Sequence, residues 1–201
     1  MKKTLMILIV FLSFASSVFS AEEANNLHVV FDAKALTGQT VNVAFTSRAI
    51  ANEPDPSQGG ASSNFKAFEN FKPEEIVPSI VLGIKNIDNG LRGVNVGPLF
   101  VSFQVYSSVP MQVVIKQSGP LQQNPDVPAL QINWQVFLGD MDSQVFVDSA
   151  NSGSSLVAYK SSPSNFGISG SRKLTIKTQE LTPDMLGTYK ASIIAEIITI
   201  E

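Results

Sequence analysis

Leu27-His28-Val29-Val30-Phe31-Asp32-Ala33-Lys34-Ala35 is the stretch on which the fold turns. Leu27, Val29, Phe31, Ala33 and Ala35 fall on every second position, with His28, Val30, Asp32 and Lys34 between them. An extended chain sends alternate side chains to opposite faces, while a helix needs apolar residues three and four apart. The stretch therefore reads as a β-strand with one small or apolar face. A Thr37-Gly38 turn follows, and Val41, Val43 and Phe45 repeat the period in a second strand.

Downstream the same period persists. A strand begins at Ile76, carries Ile80, Leu82 and Ile84, and breaks over Asn86 to Gly93, where Asn89-Gly90 is a hairpin-turn signal. Gly97-Pro98 punctuates the chain before strands at Phe100 to Tyr106 and Val113 to Lys116, and a Gly/Pro-rich turn covers Ser118 to Pro128. Leu130 to Leu138 follows, with Leu130, Ile132, Trp134 and Val136 sharing a face, then Gln144 to Asp148, Ser155 to Tyr159 and Lys173 to Thr178. The last strand, Tyr189 to Ile200, sets Tyr189, Ala191, Ile193, Ala195 and Ile197 against Lys190, Ser192 and Glu196. Short strands with turn chemistry roughly every 8 to 15 residues predict an all-β fold, an antiparallel immunoglobulin-like β-sandwich. The exception lies at 48 to 75, a long loop or insertion rich in Pro, Gly, Ser and Asn in its first half. Within it Phe65, Phe68 and Phe71 are spaced by three, behind Asn64 as an N-cap and ahead of Pro73 as a stop, which predicts a short helix over Asn64 to Lys72.

Upstream, Lys2 and Lys3 precede an apolar run from Leu5 to Phe14, and Ser16, Ser17, Val18, Phe19, Ser20 and Ala21 close it. This is the three-part layout of a secretory signal peptide over residues 1–20, cut after Ser20, and the run is too short for a membrane span. The expected domain organisation is thus a signal peptide followed by a single β-sandwich domain over 21–201, exported to the cell surface, the extracellular space or the periplasm. Without Lys2 and Lys3, 12 basic residues face 17 acidic ones, a formal charge near −5 that gives no electrostatic case for nucleic acid or anionic lipid. No later apolar run is long enough to span a bilayer, so no stable membrane insertion is expected. One Trp and three Tyr are too few for the aromatic girdles of an outer-membrane barrel. With no cysteine, stability must come from burial and hydrogen bonding, for which 44% hydrophobic residues suffice.

Little in the chain points to catalysis. His28 is the only histidine and sits in a strand, which removes His-based triads and His-rich zinc sites. Ser63-Asn64-Phe65-Lys66 matches the Ser-x-x-Lys pattern of penicillin-recognising enzymes, but the partner motifs Ser-Asp-Asn and Lys-Thr-Gly are absent. Asp140, Asp142 and Asp148, like Asn86, Asp88 and Asn89, surround turns without the spacing of a calcium loop, and ordinary turn chemistry accounts for them. Gly59-Gly60 lacks the lysine and the helix of a phosphate cradle. Trp134 reads as core. The Phe65, Phe68 and Phe71 stripe reads either as a partner-binding ridge or as the buried underside of a lid. The expectation is a protein that is not an enzyme, with no cofactor and no metal.

Residues 98–201 hold, in order, the Trp-bearing strand Leu130 to Leu138, a Ser/Gly/Asn-rich stretch, Ser171-Arg172-Lys173-Leu174-Thr175-Ile176, a Pro-containing turn, and Gly187-Thr188-Tyr189-Lys190-Ala191 opening an alternating terminal strand. This layout resembles that of bacterial fimbrial subunits. Cysteine-free pilins of enterobacterial type are the nearest fit, and the long segment from Arg48 to Glu75 departs from their pattern. The resemblance implies a sandwich lacking one strand, whose groove takes the N-terminal extension of the next subunit. Leu27, Val29, Phe31, Ala33 and Ala35 are then the candidate subunit-interface strand, and Phe65, Phe68 and Phe71 the candidate partner-binding loop. At about 3.3 Å per residue the nine-residue segment spans roughly 30 Å of groove, and burying its large side chains supplies on the order of 5 to 8 kcal/mol. Pairing in cis with Val41 to Phe45 is the competing expectation, because the Thr37-Gly38 connection is short. The expected function is a secreted, surface-associated structural or adhesive subunit that self-assembles or joins related subunits, with a surface receptor as a further partner. The alternative is a non-catalytic ligand-binding module of the periplasm or exterior.

Overall fold

The computed structural model describes residues 26–34, 40–50, 71–106, 109–124, 127–151, 154–161, 167–185 and 187–200. The expected signal peptide, Ala35, the expected turn at Thr37-Gly38, Ser63 to Lys66 and Phe68 lie outside them. Among the described residues the secondary structure is strand plus two single 3-10 turns. The strands are β1 (Asn26–Lys34), β2 (Thr40–Thr46), β3 (Ser79–Ile87), β4 (Gly90–Val94), β5 (Phe100–Tyr106), β6 (Met111–Gln117), β7 (Leu121–Asn124), β8 (Val127–Ile132), β9 (Trp134–Leu138), β10 (Phe146–Asp148), β11 (Ser155–Lys160), β12 (Gly167–Thr178) and β13 (Thr188–Thr199). The all-β sandwich is the observed fold.

Hydrogen-bonded neighbours run β10-β9-β12-β4-β3-β1-β13-β6-β11, with β5 also on β12 and β2 on β5. The long strand β12 joins the two layers. Its first half, Gly167 to Lys173, pairs with β5, while Leu174 to Thr178 pairs with β9 and Lys177 faces Val94 of β4. The inner faces meet in one core, where Phe45, Val101 and Phe103 pack with Leu27, Val29, Ile115, Ile193 and Ile197. Aromatic rings tie the layers directly: Phe31 of β1 stacks on Phe45 of β2 at 4.5 Å between centroids, and Phe103 of β5 meets Tyr159 of β11 at 4.9 Å.

This packing corrects the expected β1–β2 hairpin. β1 forms no ladder with β2; it lies between β13 and β3, while β2 pairs with β5 across seven residue pairs. Phe31 and Phe45 do face each other, but across the core and not along a shared edge, because each strand needs its apolar face on the interior. The pairing of β1 with β13 is parallel over nine residues, from Asn26 with Thr188 to Lys34 with Glu196. Every other strand pair among the described residues is antiparallel.

Smaller differences have local causes. The expected break at Asn86 to Gly93 contains β4: Asp88 (φ 53°) and Asn89 (φ 63°) form the left-handed centre of a two-residue hairpin, so the chain reverses and pairs again at once. The expected turn at Ser118 to Pro128 contains β7 and the start of β8, which form their own hairpin. The strand Leu130 to Leu138 divides at Asn133, whose N–H donates to the Gln179 side chain and whose carbonyl accepts from the Gln179 N–H. Phe71 and Lys72, the end of the expected helix, are not helical; Lys72 is extended (φ −76°, ψ 153°). A residue before proline is pushed out of the α region, and Pro73 instead opens the 3-10 turn Pro73–Glu75.

Candidate assembly site

The face of β1 singled out from the sequence is the face that meets the core. Leu27 and Val29 are fully buried, Phe31 is half-buried against Phe45, and Ala33 is exposed; Ala35 lies outside the described residues. The seat is walled by Ile80 and Leu82 of β3 on one side and by Tyr189, Ala191 and Ile193 of β13 on the other. Gly93 of β4 makes room for it, since a Cβ there would come within 2.5 Å of Leu27 Cδ1 and 3.1 Å of Thr178 Cγ2. The glycine N–H donates to Thr178 Oγ1 at 2.8 Å, which holds that backbone under the strand.

The two edges of β1 are held unequally. Toward β13 it pairs along its whole length; toward β3 only Leu27 to Val30 pair, and the Phe31 N–H donating to Pro78 O at 2.8 Å ends the run. Asp32, Ala33 and Lys34 are exposed. Charge ties this end to the sheet: Lys34 Nζ lies 3.7 Å from Glu196 Oε1, while Lys116 of β6 donates to Glu196 Oε2 at 2.6 Å. The Lys116 hydrogen bond, with the charges of both lysines, holds the Glu196 carboxyl below its ordinary titration range against a smaller opposing effect of burial. A carboxylate depressed in the folded state stabilises it above the unfolded value, about 4.3, and that stabilisation fades as pH falls through the folded value. Amide hydrogen exchange of Asp32 to Lys34 should therefore be flat above about pH 5 and accelerate in acid once intrinsic rates are divided out, and Glu196→Gln should remove the acid step. An acid step that survives Glu196→Gln would sink the assignment.

Tyr189, opposite Leu27 in the ladder, is fully buried with its hydroxyl unpartnered among the described residues. Burial pushes the phenol up, and Asp184 adds to the shift.

The phenylalanine stripe is described only at Phe71, which is half-buried with the Arg48 guanidinium 4.7 Å above its ring. Arg48 also holds Glu75 with both a short Nε hydrogen bond and one from Nη2 at 3.0 Å, and the Ser47 N–H donates to Glu75 O at 2.9 Å. These bonds clasp the two ends of the long insertion. Beneath them runs a row of hydroxyls: the Ile50 N–H donates to Ser171 Oγ, Ser171 meets Ser102 at 2.8 Å, Ser102 meets Thr46 at 2.7 Å, and Thr46 Oγ1 donates to Arg48 O. Since the first member accepts from an amide and the last donates to a carbonyl, the chain has one direction, Ser171 to Ser102 to Thr46. Sequence reading missed this row and the clasp; neither carries a local motif, because their members lie up to 121 positions apart.

The acidic turns serve the fold. Asp148 accepts from the Ala150 N–H and the Gln135 amide, and Asp140 is paired with Lys173. Trp134 is buried, with its indole N–H donating to Gly119 O at 2.7 Å. Among the described residues no helix is long and apolar enough to cross a membrane.

No protein-family model matches the sequence, and no curated protein matches it. Among solved structures, the CooA pilin subunit from enterotoxigenic Escherichia coli aligns with 59% of this chain and 88% of its own at 16% identity. The TM-score is 0.25, a likeness too slight to bear on fold or function.

Proposed function

We propose that this chain is an exported, surface-associated structural subunit that assembles by exchanging β1 with copies of itself or with related subunits. The supporting observation is the seat of β1: a strand that forms no ladder with β2 and whose Leu27 and Val29 complete the core between β3 and β13. A second copy's residues 26–34 would present the same Leu27, Val29 and Phe31 to the same walls. Leu27 and Val29 alone represent about 1.5 to 3 kcal/mol of burial each, to which the backbone ladder adds as in other strand additions. The pilin-like character, any adhesive role and the location at the cell surface belong to this reading, as does the absence of catalysis, since strand exchange makes and breaks no covalent bond.

Removal of residues 21–36 tests it. The truncated chain is expected to lose self-assembly in light scattering, and a synthetic peptide covering residues 25–36 to bind it and restore its stability. Unchanged oligomerisation of the truncated chain, with no peptide binding, would overturn the reading.

A further inference from the structure

We infer that the free subunit is self-closed, and that β1 in its own groove is a plug which must leave before another copy can enter. This rests on the strand-exchange reading above. Two molecules cannot fill one seat, and in the single chain the seat is full: Leu27 and Val29 have no exposed surface, and nine residue pairs bind β1 to β13. The closed form is also marked out by direction. β1 makes the one parallel pairing among the described residues, so the strand folds back into a sheet that is otherwise antiparallel.

The way out is built into the unequal edges. Leu27 to Val30 is flanked on both sides, while Asp32 to Lys34 pairs, among the described residues, with β13 alone and is closed by the Lys34 to Glu196 ion pair. An exposed ion pair contributes little, and weakly buried segments open first. Release therefore starts at Lys34 and runs back toward Leu27, whose fit over Gly93 is the last to give way.

The absence of cysteine makes a lock easy to read. Val30 and Ser192 stand opposite each other in the parallel ladder, and neighbouring strands lie about 4.8 Å apart, within disulfide reach. The full chain carrying Val30→Cys and Ser192→Cys should oxidise within one molecule, remain monomeric while oxidised, and assemble when reduced. Val30→Cys with Ser79→Cys, opposite each other on the β3 side, repeats the test in a different geometry. Assembly of the internally locked chain at the rate of the reduced one overturns strand exchange and the plug together, because β1 cannot be donated while it is tied to its own β13. A disulfide that forms only between chains overturns the plug and leaves strand exchange standing. A reduced chain that never assembles overturns strand exchange and the plug together.

Discussion

Leu27→Asp is expected to unseat β1 and open the groove between β3 and β13. Leu27 is fully buried, with Leu82 opposite it in one ladder and Tyr189 in the other, and Gly93 leaves no spare volume beneath it. A carboxylate placed there would sit among apolar side chains, and an unpaired buried charge costs several kcal/mol even after relaxation. That exceeds what Leu27 itself contributes, about 1.5 to 3 kcal/mol, so the strand leaves the seat before it buries the charge. The amides of Val29 to Phe31 should lose hydrogen-exchange protection and the segment should become cleavable by protease. Ala33→Asp is the control. It lies on the same side of the strand but is exposed, and such surface changes stay within about 0.5 kcal/mol. Undiminished protection of Val29 in Leu27→Asp would refute the geometry.

Trp134→Ala carries the second large effect. Trp134 is the largest of the fully buried side chains, and its removal from a closed core should destabilise by about 3 to 5 kcal/mol. It also orphans Gly119 O, the acceptor of the indole N–H, in a turn where Gly119 adopts φ 115°. Trp134→Phe separates the two contributions, since it keeps most of the apolar bulk and loses the hydrogen bond, whose net worth is about 1 kcal/mol. Urea unfolding followed by circular dichroism would measure both, because the variants lack the only tryptophan fluorophore. A Trp134→Ala chain as stable as its parent would show that this side chain does not anchor the core.

Where a strand alternates clearly its buried face was legible in the sequence, and its neighbours were not. Alternation at Leu27, Val29 and Phe31 picks the buried side of β1, and alternation at Tyr189, Ile193, Ala195 and Ile197 picks that of β13. That these two strands adjoin, more than 150 residues apart and in parallel, follows from the whole set of layers and from no local signal. Strand β4 was hidden because Gly90, Arg92 and Gly93 read as turn residues, although Gly93 is there to admit Leu27. β7 was hidden because Leu121-Gln122-Gln123-Asn124 offers one apolar residue and no alternation. Of the candidate residues, the β1 set could be placed because a period of two has a structural meaning by itself. The clasp of Arg48 and Glu75 could not, because an ion pair across 27 positions leaves no pattern in the residues between.

The parallel run of β1 beside β13 has a mechanical consequence. Asn26, the first residue of β1, and Glu196 of β13 lie at opposite ends of the shared ladder, Asn26 beside Thr188 and Glu196 beside Lys34. Tension drawn outward from these two ends acts along the strand axes, so the rungs between them bear load together in shear. Tension that lifts Lys34 away from the sheet meets the same rungs one after another, as a zipper. The same ladder thus forms a strong joint along one axis and a weak one across it.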